Sequence, residues 1–238
     1  MNELALIGVA AATIVSCSPA KKEYASYELY PVRSDDLTEM EYTPEVTSFT
    51  LWAPTADEVR LMLFDTGDGG HAYETVSMMA DKEGTWTAKV EKDLIGKFYT
   101  FNVKIKDKWL GDTPGINAKS VGVNGKRAAI IDMSATDPEG WAADKRPALA
   151  SPVDAIIYEM HHRDFSIDPS SGIQHKGKFL ALTEEGTLSP EQLATGIDHM
   201  KELGVTHVHL LPSYDYASVD EARLDENKYN WGYDPQNY

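Results

Sequence analysis

Hydrophobic and polar residues alternate in four short segments between residues 46 and 135. A period of two is typical of β-strands that bury one face. Turn-forming residues such as Pro54 and the stretch 65–70 separate the segments, and no long amphipathic helical pattern lies between them. The segments are 48–53, 59–63, 86–90 and 99–105. The pattern therefore predicts an antiparallel β-sandwich over residues 46–135.

The pattern changes after residue 135. Residues 136–152 are rich in Pro, Ala and charge and show no periodicity, so we interpret them as a linker. Residues 155–160 then form a near-continuous apolar run, which is typical of a strand buried on both faces of a parallel sheet. A second apolar segment, 205–211, is ended by Pro212. Two strands of one parallel sheet are therefore expected in residues 153–238.

A helix is predicted between these two strands. Ser189 is a favourable N-cap, Pro190 suits the first helical position, and Gln192 would complete a capping box. Apolar residues within 193–203 recur at spacings of four, three and three, which lines one helix face, and Gly204 suits the C′ position. Strand, helix and strand make a right-handed βαβ unit. Such a unit begins either a doubly wound sheet or a (β/α)8 barrel, and periodicity does not distinguish them.

The N-terminal residues 4–15 form a predominantly apolar run of 12 residues. This is shorter than the roughly 20 residues of a membrane-spanning helix and is typical of a secretory signal. Cys17, the single cysteine, follows directly after a small residue. The segment resembles the lipobox of bacterial lipoproteins, which implies a signal peptide at 1–17, lipidation of Cys17 and a linker at 18–45. The protein would then be exported and lipid-anchored at the bacterial cell envelope, in the outer membrane or facing the periplasm. The alternative is a buried free thiol in an ordinary N-terminal helix.

Composition restricts the range of partners. The formal charge is −16, from 22 Lys and Arg against 38 Asp and Glu. A surface so negative repels a phosphate backbone, and we expect no nucleic-acid partner. A neutral ligand such as a sugar is compatible with this charge. Hydrophobic residues at 42% and charged residues at 25% are close to the globular average, so both predicted domains can bury a core.

The predicted sandwich has a recognisable sequence. Residues 47–56, TSFTLWAPTA, followed by 59–61, VRL, resemble the opening of the family 48 carbohydrate-binding modules that precede the barrel in debranching enzymes. Residues 120–127, SVGVNGKR, resemble the closing part of that module in type I pullulanases. The resemblance implies an immunoglobulin-like antiparallel β-sandwich of the carbohydrate-binding type.

Three tryptophans of this module are candidates for stacking on the C–H face of a sugar. Trp52 and Trp86 occupy alternating strand positions, so we expect both in the core. Trp109 lies beside two lysines and the loop 111–115, and we predict an exposed ring there that stacks on glucose. Ordinary packing is the alternative for Trp109.

The second domain also resembles a known family. Residues 156–166, IIYEMHHRDFS, and 204–212, GVTHVHLLP, resemble the first and second barrel strands of glycoside hydrolase family 13. Residues 229–235, YNWGYDP, resemble a signature of type I pullulanases, and residues 213–221 are similar to them as well. The resemblance implies that residues 153–238 are the first part of a (β/α)8 TIM barrel.

The same resemblance implies sugar-binding residues. Tyr233 would stack beneath the sugar at the cleavage point, Asp234 would hold polar partners around that sugar, and Asn230 and Trp231 would shape the adjoining donor-side subsite. Active sites of barrel enzymes lie on loops at the C-terminal ends of the strands, where this signature is placed. Gly232 permits a tight turn between two large rings. The alternative is an aromatic cluster that packs the loop on itself.

Two groups of residues suggest metal chemistry. His207 and His209 lie two apart on a strand and face the same way, as in the HxH pairs that begin the metal sites of some amidohydrolases. No third ligand follows at a recognisable spacing, so we predict no metal cofactor. The acidic residues of the following loop are typical of a solvated surface, with a calcium site as the alternative. They are Asp215, Asp220, Glu221, Asp225 and Glu226.

The resemblance implies an α-glucan debranching enzyme that hydrolyses α-1,6-glucosidic linkages in pullulan, starch, or glycogen-derived branched dextrins and maltooligosaccharides. In family 13 the catalytic Asp, Glu and Asp come from later barrel strands, so we expect no catalytic residue here. Residues 152–238 number 87, whereas a whole barrel takes roughly 250 residues. We therefore expect an N-terminal fragment that is itself inactive. The alternatives are a non-catalytic α-glucan-binding surface lipoprotein, another family 13 enzyme (isoamylase, branching enzyme or α-amylase), and the HxH-type hydrolase.

Overall fold

The computed structural model describes residues 23–33 and 35–237, which form a two-sheet β-sandwich followed by a smaller α/β part. The sandwich strands are β1 (Met40–Tyr42), β2 (Thr47–Trp52), β3 (Glu58–Phe64), β4 (Glu74–Ser77), β5 (Met79–Ala80), β6 (Thr85–Val90), β7 (Phe98–Ile105), β8 (Lys108–Trp109) and β9 (Ala128–Ala129). The α/β part contains β10 (Ile157–Met160), α1 (Gly196–Glu202) and β11 (His207–Leu210). Short 3₁₀ turns, among them Val123–Gly125, Phe179–Thr183 and Glu221–Glu226, connect these elements.

Both sheets of the sandwich are antiparallel. One has the strand order β1-β2-β6-β5, and the other has the order β4-β3-β7-β8 with β9 paired to β7. The four segments predicted from alternation correspond to β2, β3, β6 and β7, which are the central strands. β1 lies within residues 18–45, the range predicted to be a linker, and pairs with β2 through Met40 and Phe49. The sheet thus begins before residue 46.

The sandwich core consists of the side chains that alternate inward from both sheets. Phe49 of one sheet contacts Tyr99 of the other with ring centroids 5.1 Å apart, and Tyr99 contacts Phe101 at 5.4 Å, both edge to face. These three rings are fully buried together with Leu61 and Leu63. Burial of each such side chain stabilises the fold by about 1.5–3 kcal/mol. The core therefore lies where the alternation pattern predicted it.

The two strand tryptophans differ in environment. Trp86 is buried, and its Nε1–H donates to the Ala53 carbonyl at 3.0 Å, so its predicted core position is confirmed. Trp52 is 39% exposed, and its predicted core position is wrong. It directly follows Leu51, which faces the core, so its side chain points to the opposite face of β2. There it lies near Tyr30 and donates to the Pro31 carbonyl at 3.1 Å.

In the α/β part, β10 and β11 pair in parallel, with Ile157 opposite His207 and Met160 opposite Leu210. The predicted strand–helix–strand order is confirmed. The predicted burial on both faces is not found, since Ile157 is 66% exposed and every residue of β11 is exposed. A two-stranded sheet leaves two open edges, and in the described residues few elements cover its faces. No helix in that part of the chain is long and apolar enough to cross a membrane.

Helix α1 begins at Gly196, seven residues after the predicted N-cap, so the predicted start at Ser189 is wrong. Ser189 instead closes a tight turn in which its N–H donates to the Leu193 carbonyl at 2.9 Å, and Gln192 adopts a φ of +64°. The predicted end is confirmed. Gly204 has a φ of +71°, its N–H donates to the Lys201 carbonyl, and the next N–H donates to the Met200 carbonyl, as in a Schellman motif.

Candidate functional site

The signature loop, which we define as residues 229–235, follows β11 and lies beside the segment 213–221. The Ala217 N–H donates to the Asp234 carbonyl of the loop, and the N–H of Gln236, the residue directly after the loop, donates to the Asp215 carbonyl, both at 2.7 Å. Tyr216 and Pro235 form an isolated antiparallel bridge. The signature is thus held at the C-terminal end of the parallel strand pair, the edge at which the sequence predicted it.

Asn230 and Asp234 hold the inside of this loop. The Asn230 Nδ2 donates to Asp234 Oδ1 at 2.7 Å and to Ser218 Oγ at 2.8 Å, and the Ser218 N–H donates to Asp234 Oδ2 at 3.0 Å. Hydrogen bonds from Ser218 and then from Asn230 hold the pKa of Asp234 below its usual range. Both carboxylate oxygens of Asp234 therefore serve as ionised acceptors that fix the loop.

Gly232 separates the two exposed rings of the loop. Its φ is +91°, and a Cβ added there would lie 2.0 Å from the Pro212 carbonyl oxygen. The Gly232 N–H donates to Asn230 Oδ1 at 2.6 Å. Trp231 and Tyr233 on either side are 61% and 68% exposed. The backbone is fixed, whereas both aromatic side chains are largely exposed.

Tyr229 connects the signature loop to the end of β10. Its hydroxyl donates to Asp164 Oδ2 at 3.1 Å, and its ring lies 5.6 Å from that of His161. It also packs edge to face against Trp231, with centroids 5.7 Å apart. The aromatic contact predicted as the alternative for this loop is therefore present between Tyr229 and Trp231, and most of the Trp231 side chain remains exposed.

A cavity of about 450 Å³ lies between the residues that follow β10 and the segment 213–228. His161 and His162 both line it, together with Asp215 and Asn230. The ring of His162 meets Phe179 edge to face at 4.5 Å, and burial, followed by the nearby His161, lowers the pKa of His162. The structure thus brings both histidines that follow β10 to the wall of this cavity.

The HxH pair forms separate contacts. His207 Nδ1 lies 2.8 Å from Thr206 Oγ1, and His209 Nδ1 lies 3.0 Å from Glu159 Oε2. Within residues 23–33 and 35–237, no three His, Cys, Asp or Glu side chains are grouped so that they could hold a metal ion. The structure thus gives the HxH-type hydrolase no ligand set among these residues.

Three of the five acidic residues after β11 are engaged with protein groups. Asp220 and Glu221 accept hydrogen bonds from Asn124 of the sandwich, and Glu226 forms ion pairs with Arg223 and Lys228. Burial, followed by repulsion from Glu221, raises the pKa of Asp215. The contribution of Asn124 was not predicted. Its Asn-Gly sequence is a turn signal that could have directed attention to it, whereas nothing in the sequence marks Ser218.

Trp109 lies in the second sheet of the sandwich, opposite Lys104 of β7. Its ring is half-buried, with the Arg60 guanidinium carbon 3.9 Å from the ring centroid and Lys104 Nζ at 5.8 Å. Cation–π contacts of this kind stabilise exposed rings by about 0.5–1 kcal/mol. The predicted stacking ring thus has a guanidinium over one face. Cys17, the predicted lipidation site, lies outside the described residues.

Comparison with known proteins gives consistent results. Residues 38–121 match the family described as carbohydrate-binding module 48, the isoamylase N-terminal domain. The chain is 39% identical over 198 residues to the pullulanase of Bacillus subtilis (strain 168), an alignment that covers 83% of this chain and 26% of that protein. It is 30% identical over 223 residues to pullulanase A of Streptococcus pneumoniae serotype 2, covering 79% of this chain and 17% of that protein.

Solved structures agree with these relatives. The crystal structure of apo pullulanase from Paenibacillus barengoltzii is 55% identical, with a TM-score of 0.84, and the match covers 89% of this chain and 32% of that one. Another structure of the same protein is a complex with maltohexaose and α-cyclodextrin, also 55% identical with a TM-score of 0.84, over 89% of this chain and 32% of that one. The chain thus spans about a third or less of the length of the proteins it matches.

Proposed function

Because this chain belongs to the pullulanase family, we propose that the full-length protein is an α-glucan debranching glycoside hydrolase. Its substrates would carry α-1,6-glucosidic linkages, as in pullulan, starch, and glycogen-derived branched dextrins. The family 48 module at residues 38–121 and the relatives named pullulanase support this proposal. The geometry of the signature loop is the single observation that carries it.

The signature loop has the properties of a preorganised sugar site. Asn230 and Asp234 use their polar atoms to fix the backbone, so that Trp231 and Tyr233 project from a rigid base. A sugar ring offers its C–H face to such aromatic side chains, and a rigid site loses little entropy when the ligand binds. We assign Tyr233 to the sugar at the cleavage point and Trp231 to the adjoining donor-side subsite.

Hydrolysis itself requires two carboxyl groups at the scissile bond, about 5–5.5 Å apart where configuration is retained. We propose that they come from later strands of a (β/α)8 barrel that β10 and β11 begin. The exposure of Ile157, Tyr158, Val208 and Leu210 supports this, because parallel strand pairs are normally covered on both faces. On this proposal residues 153–238 bind and orient substrate, and the rest of the barrel cleaves it.

We assign α-glucan binding to the sandwich as well, with Trp109 as the candidate contact. The Arg60 guanidinium fixes the orientation of the ring, and the hydroxyl groups of a sugar could accept hydrogen bonds from Arg60 and Lys104. We further propose that Cys17 is lipidated and anchors an exported protein at the membrane surface. That proposal rests on the residues around Cys17 alone.

A comparison of two tryptophan variants tests the debranching function. Trp231→Ala in the full-length protein should raise the KM for branched dextrin by about tenfold or more, because a stacked ring contributes mainly to substrate binding. Trp141→Ala is the matched control, since Trp141 is 60% exposed but lies in the segment between the two parts. Release of reducing ends would be measured for both variants and the parent. Absence of release by the parent, or equal KM values for all three, would contradict the proposal.

A further inference from the structure

The sandwich and the α/β part meet at the turn Val123–Gly125. One residue of this turn, Asn124, makes three hydrogen bonds to the α/β part. The Asn124 N–H donates to Glu221 Oε2 at 2.6 Å, while Asn124 Oδ1 accepts from the Glu221 N–H at 2.8 Å. The Asn124 Nδ2 donates to Asp220 Oδ1 at 3.0 Å. Three hydrogen bonds therefore connect one residue of the sandwich with two consecutive residues of the loop after β11.

The backbone of the turn permits this close approach. Asn124 has a φ of +59° and Gly125 a φ of +64°, and Asn tolerates this left-handed region better than other residues with a side chain. A Cβ at Gly125 would lie 1.7 Å from Asn237 Oδ1 and 3.0 Å from Asp215 Oδ2. The side chains of Asn237 and Asp215 thus occupy the space that a larger residue at position 125 would need.

The bonded residues continue directly into the site. Asp220 and Glu221 end the segment 213–221, whose Ala217 and Ser218 bond to Asp234 of the signature loop. The path from Asn124 to Trp231 and Tyr233 alternates between hydrogen bonds and short stretches of the chain. Each hydrogen bond on this path is 3.0 Å or shorter. In the part of the chain that the structure describes, this is a continuous polar path from the sandwich to the two exposed rings.

We propose that the Val123–Gly125 turn positions the signature loop, with Asn124 as the positioning residue. The sandwich then determines the affinity of the sugar site through direct contact, independently of any glucan that the sandwich binds itself. The effect on sugar affinity rests on the proposed debranching function, whereas the positioning of the loop does not. Hydrogen exchange therefore tests the positioning of the loop, and enzyme kinetics test the affinity of the sugar site.

Hydrogen exchange of the full-length protein tests the positioning. Asn124→Gly keeps a residue that adopts positive φ but removes both side-chain hydrogen bonds. The amides of Ala217 and Gln236 do not contact Asn124, and they should exchange about tenfold or more faster in this variant. Glu83→Gly is the control, because Glu83 also has a positive φ of 55° but lies elsewhere in the sandwich. Unchanged exchange of Ala217 and Gln236 in Asn124→Gly would overturn the proposal.

The hydrogen bond between residues 124 and 220 can be rebuilt with its donor and acceptor exchanged. Asn124→Asp alone sets a third carboxylate against Asp220 and Glu221 and should also accelerate exchange. Combined with Asp220→Asn, the new carboxylate can accept from the new amide and from the Glu221 N–H. Because Asp220 Oδ1 accepts from both the Asn124 Nδ2 and the Ala222 N–H, an amide nitrogen at that position gives up the hydrogen bond to Ala222. The double variant should therefore exchange at Ala217 and Gln236 more slowly than Asn124→Asp but faster than the parent. Exchange as fast as in Asn124→Asp would count against the assigned hydrogen bonds.

Kinetics test the consequence for the sugar site. Asn124→Gly should raise the KM for branched dextrin by about tenfold with a smaller change in kcat, since the rings it positions bind substrate. A merely structural role would reduce the fraction of active enzyme and hence the apparent kcat, with KM unchanged, and that result would overturn the proposal. If the parent protein hydrolysed no α-glucan, the proposed function would fail, and hydrogen exchange would still decide whether Asn124 positions the loop.

Discussion

Glu39 is an acidic residue of the sandwich that is shielded from solvent. Its side chain is buried, and Oε2 accepts from the Asn117 N–H at 2.9 Å. Burial raises the pKa of Glu39 above its ordinary value of 4.5, and the hydrogen bonds from Asn117 and Ile116 oppose this rise. Gly115 lies directly against the carboxylate, with no room for a Cβ. The group thus ties the residue before β1 to the loop after β8.

The raised pKa of Glu39 predicts a pH-dependent stability. The folded protein holds the proton more tightly than the unfolded chain, so the contribution of Glu39 to stability is largest below the unfolded pKa. It decreases as the pH rises from about 4 through the folded pKa, and then remains constant. Glu39→Gln should abolish this decrease and leave only a constant offset.

Urea denaturation between about pH 4 and pH 8 measures the effect. The free energy of unfolding of the parent minus that of Glu39→Gln should fall with rising pH. Glu91→Gln, which removes one carboxylate at an exposed position of the same module, is the matched control. A difference that is flat or rises with pH would disprove the assigned direction of the Glu39 pKa shift.

Within the sandwich, strands with a strong internal period were predicted from the sequence, and strands without one were not. β2, β3, β6 and β7 carry several inward residues each, which makes their alternation visible. β5, β8 and β9 have two residues each, too few for any period, and pairing with a long neighbour is what makes them strands. Their existence depends on tertiary contacts that the local sequence does not contain.

Helix α1 shows how a local signal can belong to another structure. Ser189, Pro190 and Gln192 fit the start of a helix, yet they also fit a turn, since Ser accepts from nearby N–H groups in either case. Here Ser189 Oγ accepts from the Glu191 N–H at 3.2 Å, and Leu188 pairs with Ala194. The bridge requires an extended backbone at residue 194, so the helix begins only after it. At the C-terminal end of the helix, Gly204 adopts the positive φ that the C′ position requires, and this position was predicted correctly.

The signature loop, as an element, depends on the absence of a side chain at Gly232. Gly232→Ala would combine an unfavourable φ of +91° with a contact of 2.0 Å to the Pro212 carbonyl oxygen. We expect the loop to shift and the activity of the full-length protein on branched dextrin to fall by about tenfold or more. Its melting temperature should change by a few degrees only, because the loop contributes little to either core.

The matched control is Gly140→Ala. Gly140 has a similar φ of +85° but nothing within 4 Å of an added Cβ, so it carries the cost of the backbone conformation without the clash. Activity and melting temperature would be measured for both variants. If the two variants lost activity equally, the contact with Pro212 would not be what shapes the site.

At the scale of the whole molecule, the sequence predicted the two parts but not their contact. Alternation indicated the sandwich, the apolar runs indicated the parallel strands, and the aromatic signature indicated the loop that we propose as the sugar site. The hydrogen bonds of Asn124 join residues almost one hundred positions apart, and no local pattern encodes such a distance. The acidic loop was expected to be solvated, whereas two of its carboxylates bind the sandwich. Long-range pairing of polar groups is thus the part that required the structure.

We propose that the full-length protein cleaves α-1,6 linkages of an α-glucan. Incubation of the purified full-length protein with pullulan, and in parallel with linear amylose, tests this activity when the products are separated by chain length. We expect linear maltooligosaccharides from pullulan and no shorter products from amylose. Intact pullulan, or cleavage of amylose at a comparable rate, would contradict it.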